Sequence, residues 1–316
     1  MRILVTGASG YIGTALANYY SDRGNDVVGF DRGGRYHAAR SEMSYKLVVG
    51  DLRDSSAVRR MFDSFSPDLV SHHAAHIDPR ESWEDPDDDA FDNVIGTINL
   101  LKTMQRYECK RMIFASSCAV YGDQADMSEG APYRPNAPYG AAKAAAEVYI
   151  GMYARMILGN RFITLRYPNV YGAHQSGRRS TGVVAIFSER LVRDDESTDF
   201  LYNDGRSKYM YLRIEDLCSA HDEAKTLLFS GQDNFYDTVN IPGFTATVSE
   251  IHSKLGMYAE SLRIPVLAPK RVGEQESISM TGEKARSLLN WEPTISLDDG
   301  LKKAIEEKRA EFKSNE

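Results

Sequence analysis

Short apolar runs and longer stretches of three- and four-residue spacing alternate through the first half of the chain. Ile3-Leu4-Val5 predicts a strand; Ile12, Leu16 and Tyr20, behind a glycine turn, predict an amphipathic helix. Val27-Val28-Gly29-Phe30 and Leu47-Val48-Val49 predict the second and third strands. Val58, Met61, Phe62 and Phe65 return to helical spacing, and Leu69-Val70 opens a fourth strand. A helix over 91–104, a fifth strand at Met112-Ile113-Phe114-Ala115, an Ala-rich helix over 141–158 and a sixth strand over 162–165 continue the rhythm. Such repeats predict an α/β protein with a doubly wound parallel sheet covered by helices on both faces. After Gly172 the rhythm breaks. A polar loop over 173–182 leads into shorter elements, with helix-start boxes at Thr247-x-x-Glu250 and Ser296-x-x-Asp299 and a last helix over 301–312. The expected division is 1–172 for the sheet and 173–316 mainly for a smaller α/β lobe, with the chain free to cross back after the break.

Composition narrows the classes. The 316 residues are 42% hydrophobic and 26% charged, enough for a full core. A formal net charge of −7 offers no general pull toward nucleic acid or an anionic membrane, so an anionic ligand needs local donors. Cys109, Cys118 and Cys218 are too few and too far apart for a disulfide framework or a zinc site. No secretory segment fits the start at Met1-Arg2, and no apolar run approaches the roughly 20 residues of a membrane span. The expected setting is cytoplasmic.

Candidate chemistry begins at Thr6-Gly7-Ala8-Ser9-Gly10-Tyr11-Ile12-Gly13, between the first strand and its helix. Glycines there serve the tight turn, the approach of backbone to pyrophosphate and helix–sheet packing; the phosphates then meet the free amides of the helix N-terminus. Asp31, at the end of the second strand, can accept hydrogen bonds from the adenosine ribose and would repel a 2′-phosphate, which favours NAD over NADP. Arg32 softens that preference. Asp51-Leu52 ends the third strand, where it bounds the adenine or, alternatively, Asp51 caps the next helix.

Tyr139-x-x-x-Lys143 opens a helix with both side chains on one face. A nearby ammonium and the positive nicotinamide ring both favour tyrosinate, which makes the tyrosine a usable base. Ser116-Ser117 ends the fifth strand, at the carboxyl edge of the sheet where ligand chemistry belongs in this architecture. Together with Gly50-Asp51-Leu52-Arg53-Asp54, His73-Ala74-Ala75, Asn93-Val94-x-Gly96-Thr97, Leu165-Arg166-Tyr167-Pro168-Asn169-Val170-Tyr171-Gly172, Glu215-Asp216, Arg271-x-Gly273-Glu274 and Trp291-Glu292-Pro293, the chain resembles the extended short-chain dehydrogenase/reductase family, in its nucleotide-sugar epimerase/dehydratase branch, along nearly its whole length.

The resemblance implies a Rossmann-type sheet with a smaller C-terminal substrate lobe. It implies a catalytic trio of Ser117, Tyr139 and Lys143, with Ser117 bonding the reacting oxygen and Tyr139 exchanging its proton. It places NAD against Gly7, Gly10, Tyr11, Ile12, Gly13, Asp31, Arg32, Asp51, Leu52, His73, Ala74, Ala75, Asn93, Ser116, Tyr139, Lys143, Tyr167 and Pro168. It places the nucleotide sugar against Ser117, Tyr139, Asn169, Val183 and Arg271. Dehydratases of the branch carry an Asp-Glu pair after the catalytic hydroxyl residue; here Cys118 and Ala119 stand there, which argues for epimerisation at C4 of a UDP-linked sugar through a 4-keto intermediate. Gly172-Ala173-His174-x-Ser176-Gly177 is similar to the 4-epimerases of the branch. A phosphate-gripping arginine usual before Glu215-Asp216 is Tyr209 here, with Lys208 or Arg213 as candidate substitutes. The alternative is a dehydrogenase of the same family acting on a smaller hydroxyl substrate.

Other features carry plainer readings. His72, His73 and His76 lack metal-ligand spacing, and His73 and His76 are expected to line the cofactor cleft. Cys118 is expected to be a packing residue. The run Glu84-Asp85-Pro86-Asp87-Asp88-Asp89 is expected to be a solvated helix start. Arg178-Arg179 reads equally as a phosphate contact or as plain surface. A dinucleotide-sensing scaffold without catalysis is disfavoured, because such relatives lose the tyrosine or lysine and both are present. The helices over 91–105 and 141–158 are expected to form a homodimer contact, as the resemblance implies.

Overall fold

A computed structural model describes residues 1–33, 43–175, 182–193, 198–231, 233–271 and 275–313. Its strands are β1 (Arg2–Thr6), β2 (Asp26–Asp31), β3 (Lys46–Val49), β4 (Leu69–His72), β5 (Arg111–Ser117), β6 (Arg161–Tyr167), β7 (Asn169–Tyr171), β8 (Phe200–Tyr202), β9 (Lys208–Arg213), β10 (Phe235–Asn240), β11 (Phe244–Thr247) and β12 (Val266–Ala268). The helices are α1 (Tyr11–Asp22), α2 (Ser55–Phe65), α3 (Glu81–Glu84), α4 (Pro86–Ala90), α5 (Gly96–Arg106), α6 (Pro138–Met156), α7 (Val183–Arg193), α8 (Ile214–Phe229), α9 (Val248–Ala259), α10 (Glu283–Leu289) and α11 (Leu297–Lys313).

Seven parallel strands form one sheet in the order β10-β6-β5-β4-β1-β2-β3, the doubly wound α/β architecture expected from the rhythm. Strand alternation supplies both faces. Ile3 stands beside Val27 and Leu69 in a row that α1, α8 and α10 cover with Leu16, Leu217, Leu228 and Leu289. Leu4 stands beside Val28 and Val70 in the opposite row, under Phe62, Leu100 and Ile150 of α2, α5 and α6. The strand order reverses between β1 and β4, and the cleft at a parallel sheet's carboxyl edge opens at such a reversal.

Past Gly172 the chain builds a second core from Val184, Phe187, Tyr211, Ile251, Leu255, Leu301 and Ile305, on α7, α9, α11 and β9. It also returns to the sheet: α8 packs on one face and β10 pairs with β6 over six residues. Thr247 and Glu250 form a reciprocal capping box on α9. At α11 the Ser296 hydroxyl accepts from the Asp299 amide and donates to the Asp299 carboxylate, so the second box closes on the hydroxyl. The helix expected over 91–104 starts with a π-helical turn at Phe91–Ile95 before α5. The acidic run before it is not all solvated. Asp85 caps α4, but Asp89 is buried against His76.

Candidate active site

One cleft of about 1080 Å3 runs along the carboxyl edge of β1, β2, β4 and β5 and under the second lobe. That lies at the upper end of the roughly 300–1,000 Å3 typical of ligand pockets.

At one end the glycine turn makes a cradle that side chains would fill. Gly7 sits at φ +70°, and a Cβ there would fall 2.6 Å from the Ala74 amide nitrogen; a Cβ on Gly13 would fall 2.1 Å from the Gly7 carbonyl oxygen. Gly10 leads into α1 with no side chain capping its amides, so the helix N-terminus is open toward an anion. Asp31 accepts from the amides of Ser9 (3.2 Å) and Gly33 (2.9 Å) at the tip of β2. Asp51 accepts from the amide and the guanidinium of Arg53, while Asp54 is the residue that caps α2. His73 lines the cleft beside this cradle with Nε2 2.8 Å from the Ser71 hydroxyl, and its buried Nδ1 has no partner. Cradle, open amides, ribose-side carboxylate and orphaned imidazole nitrogen together fit a bound dinucleotide.

The catalytic candidates meet at the middle of the cleft. β5 ends at Ser117, whose Oγ accepts from the Ala119 amide at 3.1 Å, and Ser117 and Tyr139 both line the cleft. α6 begins at Pro138, a residue preset for the first helical turn, and carries Tyr139 and Lys143 one turn apart on the same side. The Tyr139 amide donates to the Ser82 hydroxyl at 3.1 Å, so the 78–90 segment steadies the start of this helix. Burial raises the Tyr139 phenol well above its ordinary range, with only Ser117 opposing. Burial pushes the Lys143 ammonium down to about 8; its Nζ donates to the Ala115 carbonyl at 2.9 Å and lies over the Phe114 ring. Desolvation is thus the largest influence on both groups.

Behind the trio, Glu147 follows Lys143 by one more turn. Its carboxylate accepts from the Ser116 hydroxyl, from Tyr133 (3.0 Å) and from both Nε (3.0 Å) and Nη2 (2.7 Å) of Arg166. Arg166 also donates to Tyr121, which donates to Asn240. Cys118 is buried and its thiol is pushed up to about 12, a packing position.

Of the residues singled out in the sequence, Gly7, Gly10, Tyr11, Ile12, Gly13, Asp31, Arg32, Asp51, Leu52, His73, Ala74, Ala75, Ser116, Ser117, Tyr139, Lys143, Tyr167, Pro168, Asn169, Val183 and Arg271 all border this one cleft. Asn93 does not. It is buried in the π-helical turn, where its amide donates to the His76 carbonyl and Asp89 and accepts from the His76 amide. His72 is likewise internal, between the hydroxyls of Thr6 and Thr97.

The arginine candidates also sort themselves. Arg213 is fully buried, with its guanidinium held by Glu215 (2.6 and 2.8 Å) and Glu307 (2.8 and 3.2 Å), so it is not a replacement phosphate grip. Lys208 is exposed and does not border the cleft. Tyr209 does border it, donating to the Gln275 carbonyl, and Arg271 enters from the lobe with its guanidinium 3.2 Å over the Tyr202 ring. Arg178-Arg179, Ser176-Gly177 and Gly273-Glu274 lie outside the described residues. Sequence reasoning missed Ser82, Asp92 and Glu147. Only Glu147 carried a signal: a lone carboxylate four residues beyond Lys143 on an Ala-rich helix.

Residues 3–241 match the NAD dependent epimerase/dehydratase family. The UDP-glucose 4-epimerase of Mycolicibacterium smegmatis is 31% identical over 314 residues, covering 97% of this chain and 98% of that protein. Among solved structures, the Thermotoga maritima UDP-glucose 4-epimerase with UDP-glucose aligns at a TM-score of 0.90 and 30% identity, over 99% of this chain and 100% of that one. The Thermus thermophilus UDP-glucose 4-epimerase in complex with NAD aligns at a TM-score of 0.87 and 31% identity, over 98% of this chain and 99% of that one. With its sheet, its cofactor cradle and these matches, the chain belongs to the NAD-dependent epimerase/dehydratase family.

Proposed function

We propose that the protein is an NAD-dependent nucleotide-sugar epimerase that inverts C4 of a UDP-linked sugar. The observation that carries this reading is the position of Ser117 and Tyr139 between the dinucleotide cradle and the Arg271 end of the cleft. Cys118 and Ala119 supply no acid–base pair for water elimination, which favours epimerisation over dehydration. Similar proteins named UDP-glucose 4-epimerase support the sugar class.

NAD, when bound, supplies a reversible hydride acceptor at its nicotinamide ring. Ser117 holds the C4 oxygen of the sugar, and Tyr139 takes the hydroxyl proton and later returns it to the same oxygen. Lys143 stabilises the tyrosinate that exists before the proton is taken and again after it is returned. Asn169 and Arg271 hold the diphosphate while the 4-keto sugar turns over, and Val183 borders the sugar-nucleotide side. Residues 1–172, with α8 and β10 completing their sheet, form the dinucleotide-binding unit; the remainder of 173–316 is mainly the substrate lobe, and Ser117, Tyr139 and Asn169 meet the substrate from the first unit.

The test is incubation of the protein with UDP-glucose, UDP-galactose, UDP-glucuronate and their N-acetyl counterparts, followed by separation of the products. C4 epimers formed without added cofactor are the expected result. No conversion of any of them, with Tyr139→Phe indistinguishable from wild type, sinks the proposal. Tyr209 in the usual arginine position favours one second reading, a dehydrogenase of a smaller hydroxyl substrate, and net reduction of added NAD would identify it.

Among the described residues no helix is long and apolar enough to cross a membrane. Three free, buried thiols suit a reducing compartment, and we place the protein in the cytoplasm. Val148, Tyr149, Met152 and Met156 leave an exposed apolar stripe on α6, near exposed Phe91 and Ile95, which supports a homodimer built on these helices.

A further inference from the structure

Arg32 and Asp92 meet across sixty positions of sequence at the ribose corner of the cleft. Arg32 directly follows Asp31, where an arginine in this fold class is placed to receive a 2′-phosphate. Its fork is already taken. Nη1 donates to one Asp92 oxygen at 2.9 Å and Nη2 to the other at 2.7 Å, a planar bidentate pair. The Asp92 side chain is only 6% exposed and that of Arg32 36%, so the acid is the fixed partner and the guanidinium is drawn down onto it. Arg53, the neighbouring cation, is held by Asp51 and Asp88 and lies 3.5 Å from Asp92. Asp51, Asp88 and Asp92 thus hold two guanidinium groups, and with Asp31 on the neighbouring amides the corner carries two negative charges in excess.

We propose that Asp92 is a specificity-determining residue that makes the protein select NAD over NADP by holding Arg32 away from the 2′ position. Asp31 refuses the phosphate by repulsion, and Asp92 removes the cation that would otherwise receive it. The second function is invisible in sequence, because an arginine after the ribose-side aspartate reads as tolerance of NADP. The inference rests on the dinucleotide reading of the cleft and is independent of which sugar is converted.

Calorimetric titration of the full chain, freed of co-purified dinucleotide, with NAD and with NADP separates the possibilities. Asp92→Ala releases the guanidinium, and one recovered charge-assisted contact should improve NADP affinity relative to NAD by about tenfold. Asp92→Asn keeps the volume and should move the ratio in the same direction if the alanine variant folds poorly. Arg32→Ala alone should bring no gain for NADP, because the pinned guanidinium does not receive the phosphate and its loss leaves Asp92 unpaired; combined with Asp92→Ala it should abolish the gain. An unchanged ratio in both Asp92 variants, or a gain that survives removal of Arg32, overturns the proposal. Wild-type protein that binds neither dinucleotide overturns the cofactor reading itself, whereas sugar conversion can fail with this result intact.

Discussion

Burial sets the character of single side chains in this cleft. Tyr139 and Lys143 are both desolvated, so each is driven toward its neutral form. Tyr139→Phe should cut turnover by about 10²–10⁴-fold while NAD stays bound, checked by product assay beside cofactor release. At Gly13 the constraint is steric. Gly13→Ala forces a methyl into the Gly7 carbonyl, and should cost about 1–3 kcal/mol in denaturant unfolding together with loss of co-purified NAD. His76 shows the opposite electrostatics. Its hydrogen bond to Asp89, with a second to Glu81, raises it from 6.5 to about 9. The raised folded value means that this stabilisation is fully present below about pH 6.5 and is lost as pH rises through about 9. His76→Gln should therefore melt below wild type at pH 6, by about 1 kcal/mol at this partly exposed site, and the gap should close by pH 10.

Elements are joined at the site by polar pairs that bridge distant segments. Glu147 on α6 ties the end of β5 through Ser116 and the end of β6 through Arg166, so the strand carrying Ser117 and the helix carrying Tyr139 are fixed to one buried carboxylate. Arg166→Met leaves that carboxylate buried without its counter-charge and should cost about 3–5 kcal/mol, whereas Arg166→Met with Glu147→Met should recover much of the loss in urea titrations. This joinery marks where sequence reading stops. The strands, α1, α2 and the Tyr139/Lys143 face were legible because periodicity and spacing act within one element. The pairings of Arg32 with Asp92 and of Arg213 with Glu307 join segments that only the folded chain brings together, so Arg213 is committed internally and Arg32 borders the cleft already paired. Asn93 failed for the same reason, since its partners lie on the 76–89 segment.

For the whole molecule, the acidic surface and the exposed stripe on α6 pull in different directions, solubility against association. Val148→Glu with Met152→Glu places like charges face to face in the proposed homodimer contact, and sedimentation should show a dimer for the wild type and a monomer for this variant with the fold retained. The return of β10 to the sheet has a consequence in time. The β6 edge is completed only when β10, made after α7, β8, β9 and α8, pairs with it along six residues. Until then a growing chain presents an apolar strand with an unsatisfied row of amides and carbonyls, a ready template for the wrong partner. Chains stalled on the ribosome with residues 235–240 still in the tunnel should capture holdase chaperones, and chains stalled after that segment has emerged should release them, as read by pull-down of the stalled complexes.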